Sequence, residues 1–163
     1  MSQIDRPVPM IRTATATDIP ALITLVNAAY AVESFLEGTR TDAERLTADL
    51  ANGQILVAEG WDGELLASVY IETRGPVGYM GLLAVDPARQ GTGLARRVYQ
   101  AAEERFREQG LAAIEIHVLS LRPELLPIYQ RFGFVETGVK EFNHGRIFKD
   151  GGSAHLIVMT RRL

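Results

Sequence analysis

The chain has 163 residues, 47% of them apolar and 23% charged, with a formal net charge of −3 and no cysteine. That composition supplies one domain, 1–163, with a continuous core, and it excludes a disulfide scaffold, a zinc-thiolate centre and a thiol nucleophile. With no basic block, no secretion-type apolar core in residues 1–7 and no membrane-length apolar run, the expectation is a cytoplasmic protein with neither nucleic-acid nor membrane partners.

Residues 10–15 read as a first strand. Thr17 and Asp18 then offer an N-cap and an acidic first turn for a helix through Ala31, with Ile19, Leu22, Ile23 and Val26 as its apolar face. Residues 33–40, containing Glu37-Gly38-Thr39, read as a loop, and Thr41-x-x-Glu44 forms a capping box for a short helix to about Ala51. Residues 54–59 and 65–74 are apolar, β-branched runs joined by Trp61-Asp62-Gly63-Glu64, whose Asp-Gly pair predicts an antiparallel hairpin.

Gly75-Pro76-Val77-Gly78 turns the chain into a strand over 79–85, which runs into a glycine-rich turn and a helix from Gly93 to about Gln109, closed by Gly110. That helix buries a Leu94, Val98, Ala101, Ala102 and Phe106 stripe, which is core. A strand over 112–119 lies parallel to 79–85, making a right-handed βαβ unit that sets the turn at the carboxyl edge of the sheet. A short helix over 123–132 and two strands over 134–142 and 153–161, linked by a polar segment over 143–152, complete a mixed sheet with helices on both faces.

The strand-turn-helix junction is where the chemistry concentrates. Residues 82–95 read Leu-Leu-Ala-Val-Asp-Pro-Ala-Arg-Gln-Gly-Thr-Gly-Leu-Ala, an anion cradle in which unpaired backbone N–H groups and the helix dipole converge on a phosphate. Gly91 and Gly93 permit close approach and left-handed backbone. Leu94 and Ala95 stand where a Walker A motif needs Lys-Ser or Lys-Thr, and two mid-chain glycines do not make a dinucleotide fingerprint.

What remains, Gln90-x-x-Gly93-x-Ala95 after Val85-Asp86-Pro87, resembles the acyl-CoA pyrophosphate loop of the GNAT superfamily of N-acetyltransferases. Leu125-Leu126-Pro127-Ile128-Tyr129-Gln130-Arg131-Phe132-Gly133-Phe134 resembles that family's second signature, at the right order and separation. The chain departs from it at Arg122 and Leu125, where the family often has asparagine and a small residue. Pro123 is suited to start the helix in their place.

The resemblance implies an α/β (α+β) fold with a mostly antiparallel mixed sheet of about six to seven strands and about four helices. It implies transfer of acetyl from acetyl-CoA, as co-substrate and without a metal, directly to a primary amine of a small molecule or peptide. Leu83 and Val85 would bond the pantetheine arm beside a splay between two strands, with Val85 or Ala84 donating to the oxyanion. Gln90, Gly91, Thr92, Gly93, Leu94, Ala95 and Arg96 would hold the pyrophosphate, and Arg89 or Arg97 could contribute, although Arg97 reads equally well as a helix-face charge.

Tyr129 is the implied general acid, against a reading in which it only packs and bonds the backbone. Glu72 is the first strand-borne candidate for the base, with Glu115, His117 or a water as alternatives, and Glu33 is an option for holding a cationic amine. Residues 33–40, Gly75 and 143–152 would shape the acceptor pocket, whose ligand the sequence leaves open. The competing readings are a longer acyl donor and a non-catalytic acyl-CoA sensor. Pairing of two copies through the C-terminal strands is a homodimer the resemblance suggests.

Overall fold

A computed structural model describes residues 8–142 and 146–163. The expectation about residues 1–7 and part of the 143–152 connection lie outside the described residues. The elements are β1 (Met10–Thr13), α1 (Ile19–Ala29), α2 (Ala43–Asn52), β2 (Gln54–Glu59), β3 (Leu65–Arg74), β4 (Val77–Val85), α3 (Leu94–Glu108), β5 (Ala113–Leu119), α4 (Leu126–Arg131), β6 (Val135–Glu141) and β7 (His155–Arg162). The sheet has seven strands in the order β1-β2-β3-β4-β5-β7-β6, with β4–β5 its parallel pair and every other pairing antiparallel. This is the mixed, mostly antiparallel architecture expected, with the β2–β3 hairpin at the predicted bounds.

Local chemistry explains where the chain departs from the expected boundaries. Asp18 does not simply acidify a first turn: Arg12 donates two hydrogen bonds to its carboxylate at 2.8 Å, and Arg12 Nε donates to Glu59 at 2.9 Å. Asp18 therefore closes a 3₁₀ turn over Ala16–Asp18, and α1 starts after it. Leu22, Leu25 and Val26 are the residues α1 buries, while Ile19 and Ile23 are only partly covered. In α2 the cap is Asp42, which accepts from the Arg45 N–H at 2.8 Å, one residue beyond the expected Thr41.

α3 lies over β2, β3 and β4 and buries Leu94, Val98, Tyr99, Ala102 and Phe106. It ends as expected: Gly110 takes φ +72°, and the Leu111 N–H reaches back to the Phe106 carbonyl at 3.2 Å, satisfying a carbonyl the helix leaves open.

β4 determines the architecture of the site. Its parallel pairing with β5 lasts for three residues, Val77↔Ala113, Gly78↔Ile114 and Tyr79↔Glu115, after which β5 pairs only with β7. On its other side β4 stays with β3, but Tyr70 opposes Gly81 while Ser68 opposes Ala84, so Leu82 and Leu83 together face Val69. Leu82 absorbs the extra residue with φ +53°, a left-handed conformation that costs a non-glycine residue about 1–2 kcal/mol.

The bulge reverses the facing of every later side chain. Before it, Tyr79 packs with the α1–α2 cluster and Met80 with the α3 cluster; after it, Leu82 and Ala84 face α1, and Leu83 and Val85 face α3. β6 is one of the two edge strands, exposed along its length, with Val135 and Val139 open to solvent. No helix among the described residues is long and apolar enough to cross a membrane.

The short β4–β5 pairing tolerates no added bulk. A Cβ on Gly78 would meet the fully buried Phe106 ring at 2.6 Å. Gly78→Ala is expected to destabilise the fold by about 2 kcal/mol through overpacking, read as a lower urea midpoint with an unchanged slope.

Candidate active site

The phosphate cradle is built by successive local devices. Asp86 accepts from the Ala88 N–H at 3.0 Å and so caps the short turn Pro87–Arg89, and the Thr92 hydroxyl donates back to the Arg89 carbonyl at 2.5 Å. Gly91 and Gly93 follow with φ +80° and +84°, and a Cβ at either would meet nothing within 4 Å. The first α3 amide to donate within the helix is that of Arg97, to the Gly93 carbonyl at 3.1 Å. The N–H groups of Leu94, Ala95 and Arg96 thus have no intrahelical acceptor.

These residues line one side of a groove of about 670 Å³ that runs between β4, the end of α1, the start of α3 and α4. Of the sequence-derived set, Leu83, Val85, Gln90, Gly91, Gly93, Leu94, Ala95 and Arg96 line it. Ala84 does not, because the bulge turns it onto α1, and Thr92 does not, its hydroxyl being committed to the turn. The Asp86 N–H donates to the Leu66 carbonyl. By alternation the backbone of Ala84 also faces β3, while that of Leu83 and Val85 faces the opening.

Arg89 lines the groove and sits 3.7 Å from Glu64, and Arg96 lies over the Phe132 ring. Arg97 donates to the Pro9 carbonyl at 3.1 Å and is part of the framework.

On the other face of the sheet, where β4 and β5 part, is a smaller chamber of about 70 Å³. Tyr30, Leu125 and Tyr129 line both spaces. Phe132 and Phe134 hold the Tyr129 ring edge-on, at centroid distances of 6.3 and 6.0 Å. Its hydroxyl makes no hydrogen bond to any described residue, so the packing-only expectation of a backbone partner is not met. Burial, reinforced by the nearby Tyr30 and Tyr79, raises its pKa well above the ordinary phenol value and keeps it protonated. The Tyr30 hydroxyl donates to the Leu83 carbonyl at 3.0 Å, and burial pushes its pKa up to about 12.

The other candidates fall into two groups. His117 lines the small chamber with its ring 5.0 Å from that of Tyr79, and its Nε2 is 2.8 Å from Glu115. Burial lowers the His117 pKa, with Glu115 acting in the opposite sense. Burial would raise Glu115, but His117 and Lys140 outweigh it and hold the carboxyl below its ordinary value.

Glu72, by contrast, lines neither space. Its carboxylate accepts from Arg74 Nε and from the terminal nitrogen at 3.0 and 2.8 Å, and it borders a shallow depression beside Asn52 and Gln109. It sits near the end of β3 opposite Tyr79, before the strands separate.

Glu33 is present in the chamber but already neutralised. It is 7% exposed and lies 3.0 Å from Arg122 and 3.5 Å from Arg146, which leaves little charge for an amine cation. Arg122, an apparent departure in the sequence, also binds Glu124 at 2.6 Å, just before the turn that Pro123 opens ahead of α4. Sequence reasoning missed Tyr30 as a lining residue, since it lies outside both motifs, whereas Arg40 and Arg146 fall in two of the segments expected to shape the acceptor pocket. No cluster of metal-ligating side chains occurs among the described residues.

A family profile described as an acetyltransferase (GNAT) domain matches residues 25–149. The chain belongs to this family. It is 32% identical over 85 residues to a mycothiol acetyltransferase of Beutenbergia cavernae, covering 52% of this chain and 29% of that protein. It is 34% identical over 112 residues to glucosamine 6-phosphate N-acetyltransferase 1 of rice, covering 64% of this chain and 66% of that one. The chain thus spans under two thirds of the length of either relative. The fold is shared with a phosphinothricin acetyltransferase from Sinorhizobium meliloti in complex with AcCoA, at TM-score 0.71 and 17% identity over 96% of this chain and 89% of that one.

The Glu33 carboxylate joins three separate segments, so its charge is expected to matter for folding. Glu33→Gln leaves Arg146 without a counter-ion and Arg122 with only the exposed Glu124, and should cost about 3 kcal/mol in urea unfolding.

Proposed function

We propose that this chain is an acetyl-CoA-dependent N-acetyltransferase acting on a primary amine by direct transfer. The observation that carries the reading is the Tyr129 hydroxyl, unpartnered and shared by a phosphate-cradled groove and a polar chamber on the opposite face. The open cradle at Gly91 and Gly93, the free first-turn amides of α3 and the cations Arg89 and Arg96 fit a pyrophosphate. The outward backbone groups of Leu83 and Val85 fit an amide-bearing arm. Bound there, acetyl-CoA supplies an activated acyl group that needs no enzyme nucleophile.

The chain's residues then meet three demands. His117 takes a proton from the amine: Nε2–H donates to Glu115, which leaves Nδ1 as the basic nitrogen, and burial keeps the ring neutral near pH 7. The Val85 N–H polarises the thioester carbonyl as charge develops on its oxygen. The nitrogen lone pair forms the new C–N bond, the C–S bond breaks, and Tyr129 gives its proton to the departing sulfur. Burial makes the phenol a weaker acid, but the same desolvation raises the proton affinity of the thiolate it faces.

The test is thiol release from acetyl-CoA across a panel of amines, beside acetyl-CoA affinity for wild type and Tyr129→Phe. The variant is expected to lose about 10²-fold or more in kcat with affinity retained. Binding without turnover on any amine would favour the sensor reading, and no binding would remove the assignment of the Gln90–Ala95 turn.

A pH profile tests the base. Protonating His117 stops it accepting a proton, so kcat/KM falls as pH drops through its pKa, and because that value is lowered the fall begins below the ordinary histidine value of about 6.5. His117→Gln should abolish that limb and lower the rate about 10²-fold. An unchanged acidic limb in the variant would return the role to water.

A further inference from the structure

The small chamber continues past Arg40, Leu82 and Arg146 into an adjoining cavity of about 230 Å³, also lined by Thr41, Arg45 and Asp49. Thr41 is 2% exposed, and its hydroxyl is the one buried side-chain polar atom among the described residues that lacks a hydrogen-bond partner. The residue is not loosely held. Its N–H donates to Asn27 Oδ1 at 2.9 Å, and its carbonyl accepts from Asn27 Nδ2 at 3.0 Å and from the Thr39 hydroxyl at 3.1 Å. The backbone is fixed and a donor is left over.

The surrounding charge has the same bias. Arg40 makes no ion pair or hydrogen bond with a described residue; its guanidinium lies against the Tyr30 ring, 5.2 Å from the centroid. Arg146 shares Glu33 with Arg122 and also donates to the Glu37 and Gly38 carbonyls at 3.4 and 3.3 Å. Burial lowers its pKa, and although Glu33 opposes this, the charges of Arg40 and Arg45 act in the same direction as burial. Arg45 is tied to Asp42 at the exposed rim, at 3.3 Å. Against three guanidinium groups and an orphaned hydroxyl, Asp49 is the single acid lining the cavity. Arg40 is the guanidinium here with no hydrogen-bonding acceptor among the described residues, and three guanidinium groups around one acid make a surplus of positive charge that is complementary to an oxyanion.

We propose that this cavity seats a carboxylate or phosphate carried by the acceptor itself, so that the substrates of this chain are anionic amines. Arg40, Arg146 and the Thr41 hydroxyl hold the oxyanion. The Leu82 bulge, which borders both spaces, leads from the anion seat to the chamber where the amine meets Tyr129 and His117. The proposal rests on the acetyltransferase reading above and adds the class of acceptor.

The test compares matched pairs, alanine against alaninamide and phosphoethanolamine against ethanolamine, in acetyl-CoA-dependent thiol release. In parallel, acetate and inorganic phosphate are titrated into the acetyl-CoA-loaded protein while arginine side-chain N–H resonances are followed. The charged member of at least one pair is expected to be preferred by about tenfold or more in kcat/KM. The pair that shows it tells carboxylate from phosphate. Arg40→Gln should bring the preference close to parity, and Arg40→Lys should restore most of it.

Thr41→Val separates binding from folding, because removing an unsatisfied buried hydroxyl should raise the melting temperature while weakening binding of the anion. Saturable anion binding at Arg40, even with no turnover of these four amines, supports the seat. Equal or better use of the neutral partners overturns the proposal, as does the absence of both anion binding and turnover while acetyl-CoA still binds. Loss of acetyl-CoA binding itself would instead bring down the acetyltransferase reading.

Discussion

The site exists because β4 and β5 stop pairing after Tyr79 and Glu115. A parallel pair continued to the end of both strands would satisfy the backbone of Leu83 and Val85 and close the sheet. Two arrangements keep it open. β7 pairs with β5 from Ala113 to Leu119 and so keeps β5 in the sheet after it leaves β4, and the extra residue at Leu82 bends β4 away while β3 continues to hold it. The left-handed conformation of Leu82 is paid for by the packing on either side of the bulge. In return the freed backbone faces a groove, where Tyr30 already satisfies one carbonyl.

An opening through a sheet must still be walled, and here polar contacts do much of that work. Glu33 from the segment after α1, Arg122 from the turn before α4 and Arg146 from the segment before β7 meet in one mostly buried cluster. Such a cluster gives little net stability compared with an apolar equivalent, but losing one member is costly, so it selects a single arrangement of three otherwise independent segments. The tyrosines add a similar constraint, since Tyr30, Tyr79 and Tyr129 all stay protonated through burial around the same opening.

What the sequence revealed follows the range of the interactions involved. The β2–β3 hairpin, the Gly91–Gly93 turn and the Gly110 helix end are short-range devices, and each stands where residue chemistry placed it. The bulge is hidden because 79–85 is nearly all apolar and carries no alternation to break; Ala84 and Val85 read alike as backbone donors, yet the Ala84 backbone faces β3 and its side chain faces α1. Thr41 looked like a cap because Glu44 follows at the right spacing, but Asp42 is the stronger cap and took the role. Glu72 reads from its strand alone as a base or as a solvated strand end, and in the fold its neighbour Arg74 holds it. Arg122 and Glu33 are 89 residues apart, and no periodicity or motif links charges at such separation.

The change of facing within β4 also has a kinetic meaning. Leu83 and Val85 look toward the groove, while Leu82 looks toward the chamber. Two ligands meeting at Tyr129 would therefore arrive from opposite sides of one sheet, and neither would lie on the other's path. Compulsory order in a two-substrate site commonly arises when the first guest blocks or builds the doorway of the second. Were each ligand to keep to its own space there would be no steric queue, and any preferred sequence of arrival would come from energetic coupling through Tyr30, Leu125 and Tyr129, which line both.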